Sequence, residues 1–136
     1  MKYLLLGAGL QGTAIAFDLL TQAPDTSALT IVDADEKNLG RLTDRLGDAR
    51  VRTVRADVRD PEAMAPLMET ADVAVSAVNY WFNAALAEMA VAGGAHFLDL
   101  GGNNDVVARE FELDAQAKAE GVSIIPDCGL APGLAC

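Results

Sequence analysis

Cysteine and histidine are scarce in this 136-residue chain, with two of the first and one of the second. Cys128 and Cys136 lack C-x-x-C partners, which excludes a disulfide framework. His96 has no ligand-spaced neighbours, so any metal site would have to be built from carboxylates, and none is expected. Basic charge is also short: ten Lys and Arg stand against twenty Asp and Glu, a net charge of −10. Nucleic-acid affinity comes largely from cations displacing condensed counterions, so a polyanion is not an expected partner. Arg41, Arg45, Arg50, Arg52, Arg55 and Arg59 fall in one third of the chain, but interspersed acids make that run a solvated face. No apolar stretch approaches the roughly 20 residues that span a bilayer. The first apolar run is too short, and too soon broken by glycine, for a signal peptide. The expectation is a cytoplasmic protein without membrane contact.

The chain contains alternating strand and helix patterns. Apolar runs at KYLLL (2–6), ALTIVD (28–33), VRTVR (51–55), VAVSAV (73–78), HFLDL (96–100) and VSIIP (122–126) read as strands. Between them, apolar residues three or four apart predict helices over about 10–22, 35–46, 61–70, 81–92 and 104–120. Asp60 before Pro61 is an N-cap followed by a tolerated first-turn proline. Gly93-Gly94 ends the fourth helix, and Asn103 or Asn104 caps the fifth. Strands such as VAVSAV show little polar alternation, as in a parallel sheet covered on both faces. The expected fold is α/β: a doubly wound, six-stranded parallel (Rossmann) sheet in the order 3-2-1-4-5-6. It would occupy residues 1–130, with 131–136 beginning a connection onward.

The first strand runs into GAGLQG, a G-x-G-x-x-G spacing with a helix directly behind it. Gly7 would make the tight turn, Gly9 would let a diphosphate approach the backbone, and Gly12 would bring helix and sheet close. The main-chain amides of Leu10, Gln11 and Gly12 would face the phosphates with the positive end of the helix dipole. Asp33 ends the second strand about 20 residues on, where an acid can accept from ribose hydroxyls; Asp35 is placed to cap the next helix. An acid there repels a 2′-phosphate, which favours NAD, although Lys37 or Arg41 could turn toward one and admit NADP. Asp57 and Val58, after the third strand, would flank the adenine. Ala77, Val78 and Asn79, after the fourth, would lie near the second phosphate and the nicotinamide ribose. Trp81 and Phe82 are assigned to core or interface.

The second half is more distinctive. ADVAVSAVNYWFNAALAEMAVAGGAHFLDLGG followed by GVSIIPDCGLAPGLA resembles the saccharopine dehydrogenase family, and within it the lysine dehydrogenase-like members. Asn79, His96, Asp99, Asp127, Gly129, Pro132 and Gly133 carry the likeness, and GLAPGL is its most specific part. The resemblance implies a pyridine-nucleotide oxidoreductase that moves hydride between nicotinamide and the C–N bond of an amino acid. It also implies a second, α+β domain that supplies most of the substrate pocket and contributes to a homo-oligomer. The family pattern often has proline where this chain has Val78-Asn79. Because the chain stops at Cys136, where that pattern would enter its second domain, a cofactor-binding fragment without turnover is expected.

No complete catalytic set is expected in these residues. His96 starts the fifth strand, at the end away from the ligand crevice, and reads as structural. Asp99 and Asp127 sit at the productive strand ends, where each could hold a substrate amine, orient the nicotinamide amide or cap its own loop. Cys128 has no histidine to activate it. Nucleotide-sensing domains that gate potassium transport share the glycine turn, the second-strand acid and the length, and remain an alternative. A semialdehyde dehydrogenase would need a cysteine with a base nearby. A dinucleotide-dependent epimerase would need Tyr-x-x-x-Lys, and neither Tyr3 nor Tyr80 has that lysine.

Overall fold

A computed structural model describes residues 1–135; Cys136 lies outside the described residues, as does the side chain of Pro132. Six strands, β1 (Lys2–Leu6), β2 (Ala28–Asp33), β3 (Val51–Arg55), β4 (Val73–Ser76), β5 (His96–Asp99) and β6 (Ile124–Ile125), form one sheet in the order β3-β2-β1-β4-β5-β6. Every neighbouring pair is parallel. This is the doubly wound sheet expected from the sequence.

The alternation along β1 shows how two layers cover it. Leu4 and Leu6 join one buried cluster, while Leu5 joins the other, because successive side chains of a strand point to opposite faces. The Leu4 side packs under Met64 and Met68 of α3 (Pro61–Glu69) and Leu86, Ala87 and Ala90 of α4 (Asn83–Gly93). The Leu5 side packs under Ala16 of α1 (Leu10–Thr21) and Leu39 and Leu42 of α2 (Glu36–Leu46). Phe97 of β5 is fully buried in the first cluster. The order in which strands are added reverses between β1 and β4, with all strands still parallel, which opens a crevice at the carboxyl ends of those two strands.

Caps set the helix limits. Asp35 accepts from the Lys37 amide, Asp60 from Glu62 and Ala63, and Asn103 from Asp105 and Val106. Gly94 ends α4 with φ +75°. β4 ends at Ser76 and β5 at Asp99, each short of the expected run, and three further differences shape the second half. The segment expected as one helix over 104–120 is two, α5 (Asn104–Phe111) and α6 (Asp114–Glu120). Val106, Glu110, Leu113 and Ala117 keep an inward spacing across the break, so the periodicity alone reads as continuous. The fourth helix is entered through a 3₁₀ turn, Tyr80–Phe82, because Asn79 caps it by accepting from the Trp81 amide. β6 holds only two residues, with Pro126 directly after it unable to donate to a ladder.

Removing the Phe97 ring should cost more than removing an exposed one. Phe97→Ala is expected to lower unfolding stability by about 3–5 kcal/mol. Phe17→Ala, at a side chain on the surface of α1, should change it by no more than about 0.5 kcal/mol. Urea denaturation of both variants checks the contrast.

Candidate dinucleotide site

The site begins where β1 ends. Gly7 adopts φ +104°, and a β-carbon on it would come within 2.7 Å of the Ala77 carbonyl oxygen. Its N–H donates to the Val32 carbonyl at 2.7 Å, and the Ala77 N–H donates to the Leu6 carbonyl at 2.7 Å. Gly12 lies so close to the Gly7 carbonyl oxygen that any β-carbon would overlap it. Gly9 is the N-cap of α1, and a β-carbon there would meet nothing. The first and third glycine positions, Gly7 and Gly12, are thus explained by packing within the chain. Gly9 is not, and its open side is where a ligand backbone can approach.

α1 also differs from its neighbours in electrostatics. α2, α3 and α5 each begin under an Asp or Asn cap, but α1 has no side-chain cap and no acid in its first turn. Thr13 donates through both its amide and its hydroxyl to the Gly9 carbonyl. The amides of Leu10, Gln11 and Gly12 have no acceptor among the described residues. Three unpaired N–H groups and the positive dipole end at a helix start form an anion site.

Asp33 stands across the turn. One carboxylate oxygen accepts from the Ala8 amide and the other from the Asp35 amide, each at 2.8 Å. A carboxylate has about four lone-pair positions, so these two bonds orient the group and leave capacity for two hydroxyls.

A groove of about 260 Å³ runs from Asp33 and Ala34 past Ala56, Asp57, Val58 and Arg59 to Val78 and Phe82. It brings together four expected residues from three strand ends: Asp33, Asp57, Val58 and Val78. Val58 is mostly buried and offers an apolar wall. Asp57 is paired with Arg59 at 2.6 Å, and that guanidinium holds its carboxyl down at about 2. A second hollow, of about 630 Å³, is lined by Gln11, Leu100, Cys128, Gly129, Leu130 and Leu134. Ala77 packs beneath the glycine turn, and Asn79 spends its side-chain oxygen on the 3₁₀ cap.

Several lining residues were not legible. Arg59 and Phe82 enter the first groove from turns whose paths the sequence leaves open, although the Asp57-x-Arg59 spacing is a local signal for the ion pair. Trp81, expected in core or interface, is exposed and packs its ring at a tilt against that of Tyr80, with ring centroids 4.4 Å apart. Phe82 packs against the core as expected. His96 accepts from the Ser123 amide at 3.0 Å, a structural bond at the strand end away from the crevice. Burial and the charges of Asp99 and Asp127 push the Cys128 thiol up, opposite to what a nucleophile needs.

Fold and glycine turn together define a Rossmann-type NAD(P)-binding domain of the dehydrogenase kind. The chain belongs to the family described as saccharopine dehydrogenase NADP binding domain, whose model matches residues 3–125. Among solved structures, it is similar to saccharopine dehydrogenase (L-Glu forming) from Saccharomyces cerevisiae, with TM-score 0.75 and 22% identity over 97% of this chain and 28% of that one. The scyllo-inositol dehydrogenase from Lactobacillus casei, solved with NAD(H) and scyllo-inositol, matches with TM-score 0.71 and 16% identity over 93% and 35%. A shikimate 5-dehydrogenase from Mycobacterium fortuitum matches with TM-score 0.67 and 25% identity over 93% and 44%. The chain therefore spans less than half the length of each. No helix among the described residues is long and apolar enough to cross a membrane.

Gly9 and Gly12 should respond differently to a methyl group. Gly12→Ala must displace the Gly7 carbonyl and is expected to cost about 1–3 kcal/mol. Gly9→Ala, at φ −76° with free space around it, should cost under about 1 kcal/mol. Thermal melts of the two variants measure this difference.

Proposed function

We propose that this chain binds NAD as the cofactor half of an oxidoreductase acting on the C–N bond of an amino acid, in the manner of saccharopine and lysine dehydrogenases. The observation that carries the reading is the pairing of an uncapped helix start at Gly9–Gly12 with the oriented Asp33 carboxylate across the same turn. The family membership and the GLAPGL element support the choice of a C–N bond.

When bound, the nicotinamide supplies the hydride chemistry. The protein's part is placement. Amides of Leu10, Gln11 and Gly12 hold the diphosphate, Asp33 accepts from the adenosine ribose, and Val58 and Asp57 border the adenine. Ala77, Val78 and Asn79 line the path toward the nicotinamide ribose, where small groups keep the backbone approachable. NAD is favoured over NADP because the Asp33 carboxylate repels a 2′-phosphate, and three arginines that could offset it already have partners. Arg41 donates to Asn38, Arg55 pairs with Glu36, and Arg59 pairs with Asp57. Lys37, exposed in the first turn of α2, is the remaining route to NADP. In the full enzyme, residues outside these 136 complete the substrate pocket and the homo-oligomer, and the cytoplasm, where pyridine nucleotides are plentiful, is its place of action.

Titration of NADH fluorescence should give a saturable signal that is weaker with NADPH, with no turnover of lysine or saccharopine by these residues alone. Asp33→Ala should weaken NADH by about 10- to 100-fold, the scale of losing hydrogen bonds to a charged group. Gly9→Val should weaken it at least as much while the melt stays close to wild type. A flat titration with both nucleotides would remove the assignment.

A further inference from the structure

On the far side of the crevice, two acids are buried where no cation reaches them. Asp99, the last residue of β5, is 1% exposed, and Glu110, on the inner face of α5, is 2% exposed. Their carboxyl groups lie within hydrogen-bonding reach of each other. One Asp99 oxygen accepts from the Gly101 amide at 2.6 Å and the Asp127 amide at 3.3 Å. Its other oxygen and both Glu110 oxygens have no donor among the described residues. As two carboxylates, the groups would present only acceptors to each other, in a place where each unpaired charge costs several kcal/mol.

The surroundings offer no neutralising charge. Asp127 faces the pair from the turn after β6 with a further carboxylate, and the Cys128 thiol stands beside it. Lys118 of α6, which borders the same side of Glu110, is bonded to Asp114 at 2.6 Å. Arg109, the neighbour of Glu110 on α5, is exposed. Neither buried acid forms an ion pair among the described residues.

We propose that one proton is held between Glu110 and Asp99, with Glu110 as the donor, and that this bond is the positioning device for the two loops that wall the crevice after β5 and β6. A protonated carboxyl is both donor and acceptor, so a single proton relieves the repulsion and supplies the missing hydrogen bond. Asp99 is thereby free to use its other oxygen on both loops. It holds Gly101 on its own side and Asp127 on the other, while its carbonyl accepts from the Cys128 amide at 2.8 Å. Asp127 sits at φ +58°, a conformation that Asp tolerates but that its surroundings must hold. Gly129 follows, in the wall shared with Gln11 and Leu130. Glu110 touches no ligand in this scheme; it acts through Asp99.

Burial, reinforced by the charges of Asp99 and Asp127, pushes the Glu110 carboxyl up to about 8. The folded chain then retains a proton that the unfolded chain releases near the ordinary Glu value. The stabilisation is complete at acid pH and is lost as pH rises toward 8.

The test is amide NMR of the chain between pH 6 and 9, with melts of wild type and Glu110→Gln at each pH. Gln keeps the shape and donates to Asp99 without titrating. The Gly101 and Asp127 amide signals should move together in wild type, with the midpoint of the Glu110 carboxyl carbon, and stay still in Glu110→Gln. The wild-type unfolding constant should rise by up to about tenfold per pH unit relative to the variant up to that midpoint. Three outcomes would overturn the proposal. The first is a Glu110 carboxyl carbon that titrates in the ordinary range in the folded wild type, a readout that needs no variant. The second is an identical step in both chains. The third is a melt at pH 9 raised by magnesium or calcium in wild type alone, which would put a cation in the proton's place.

Discussion

The contact of Gly12 with the Gly7 carbonyl is the constraint from which the candidate site follows. It brings the first turn of α1 against the end of β1 with no side chain between them. The turn beneath is closed by Ala77 of the neighbouring strand end and by the Gly7–Val32 bond, so β1, β2 and β4 meet under one short loop. Asp33 then reaches the loop from β2 and holds the Ala8 amide. The open face at Gly9 is what remains once the packing has used the other two glycines.

The molecule carries a net charge of −10, yet its candidate ligand is a dianion at the diphosphate. The conflict is resolved locally. The starts of α2, α3 and α5 are capped by Asp or Asn side chains, whereas α1 has glycine at that position and keeps the Leu10, Gln11 and Gly12 amides unpaired. A helix start provides roughly half a positive charge, and its effect decays within a turn, so distant acids on a solvated surface matter little against it. Two of the arginines on the Asp33 side are paired with acids, Arg55 with Glu36 and Arg59 with Asp57.

The two sides of the crevice are built differently. On the α1 side, backbone geometry does the positioning, through contacts that admit no β-carbon. On the β5 and β6 side, side-chain chemistry does it, with Asp99 tying together loops that have little regular structure of their own. β6 contributes two residues to the ladder, and the turn after it depends on the Asp99 carbonyl and carboxyl for its bonds. The apolar residues beyond it, Leu130 and Leu134, are exposed.

Local pattern determined the architecture. Six apolar runs separated by amphipathic segments, with Asp60-Pro61 and Gly93-Gly94 as punctuation, specify strands, helices and their order, because each signal acts within a few residues. The glycine spacing and Asp33 were legible for the same reason: a turn and a strand end are short-range objects. The break at Glu112-Leu113 was hidden, since the inward spacing of Val106, Glu110, Leu113 and Ala117 passes through it unchanged. The convergence of Asp57, Val58 and Val78 with Arg59 and Phe82 depends on three separate strand ends, and spacing along the chain does not encode that distance. Least visible was the Asp99–Glu110 pair. In sequence, Glu110 is one acid among twenty, and only the packing of α5 against the sheet removes it from water and sets it against another carboxyl.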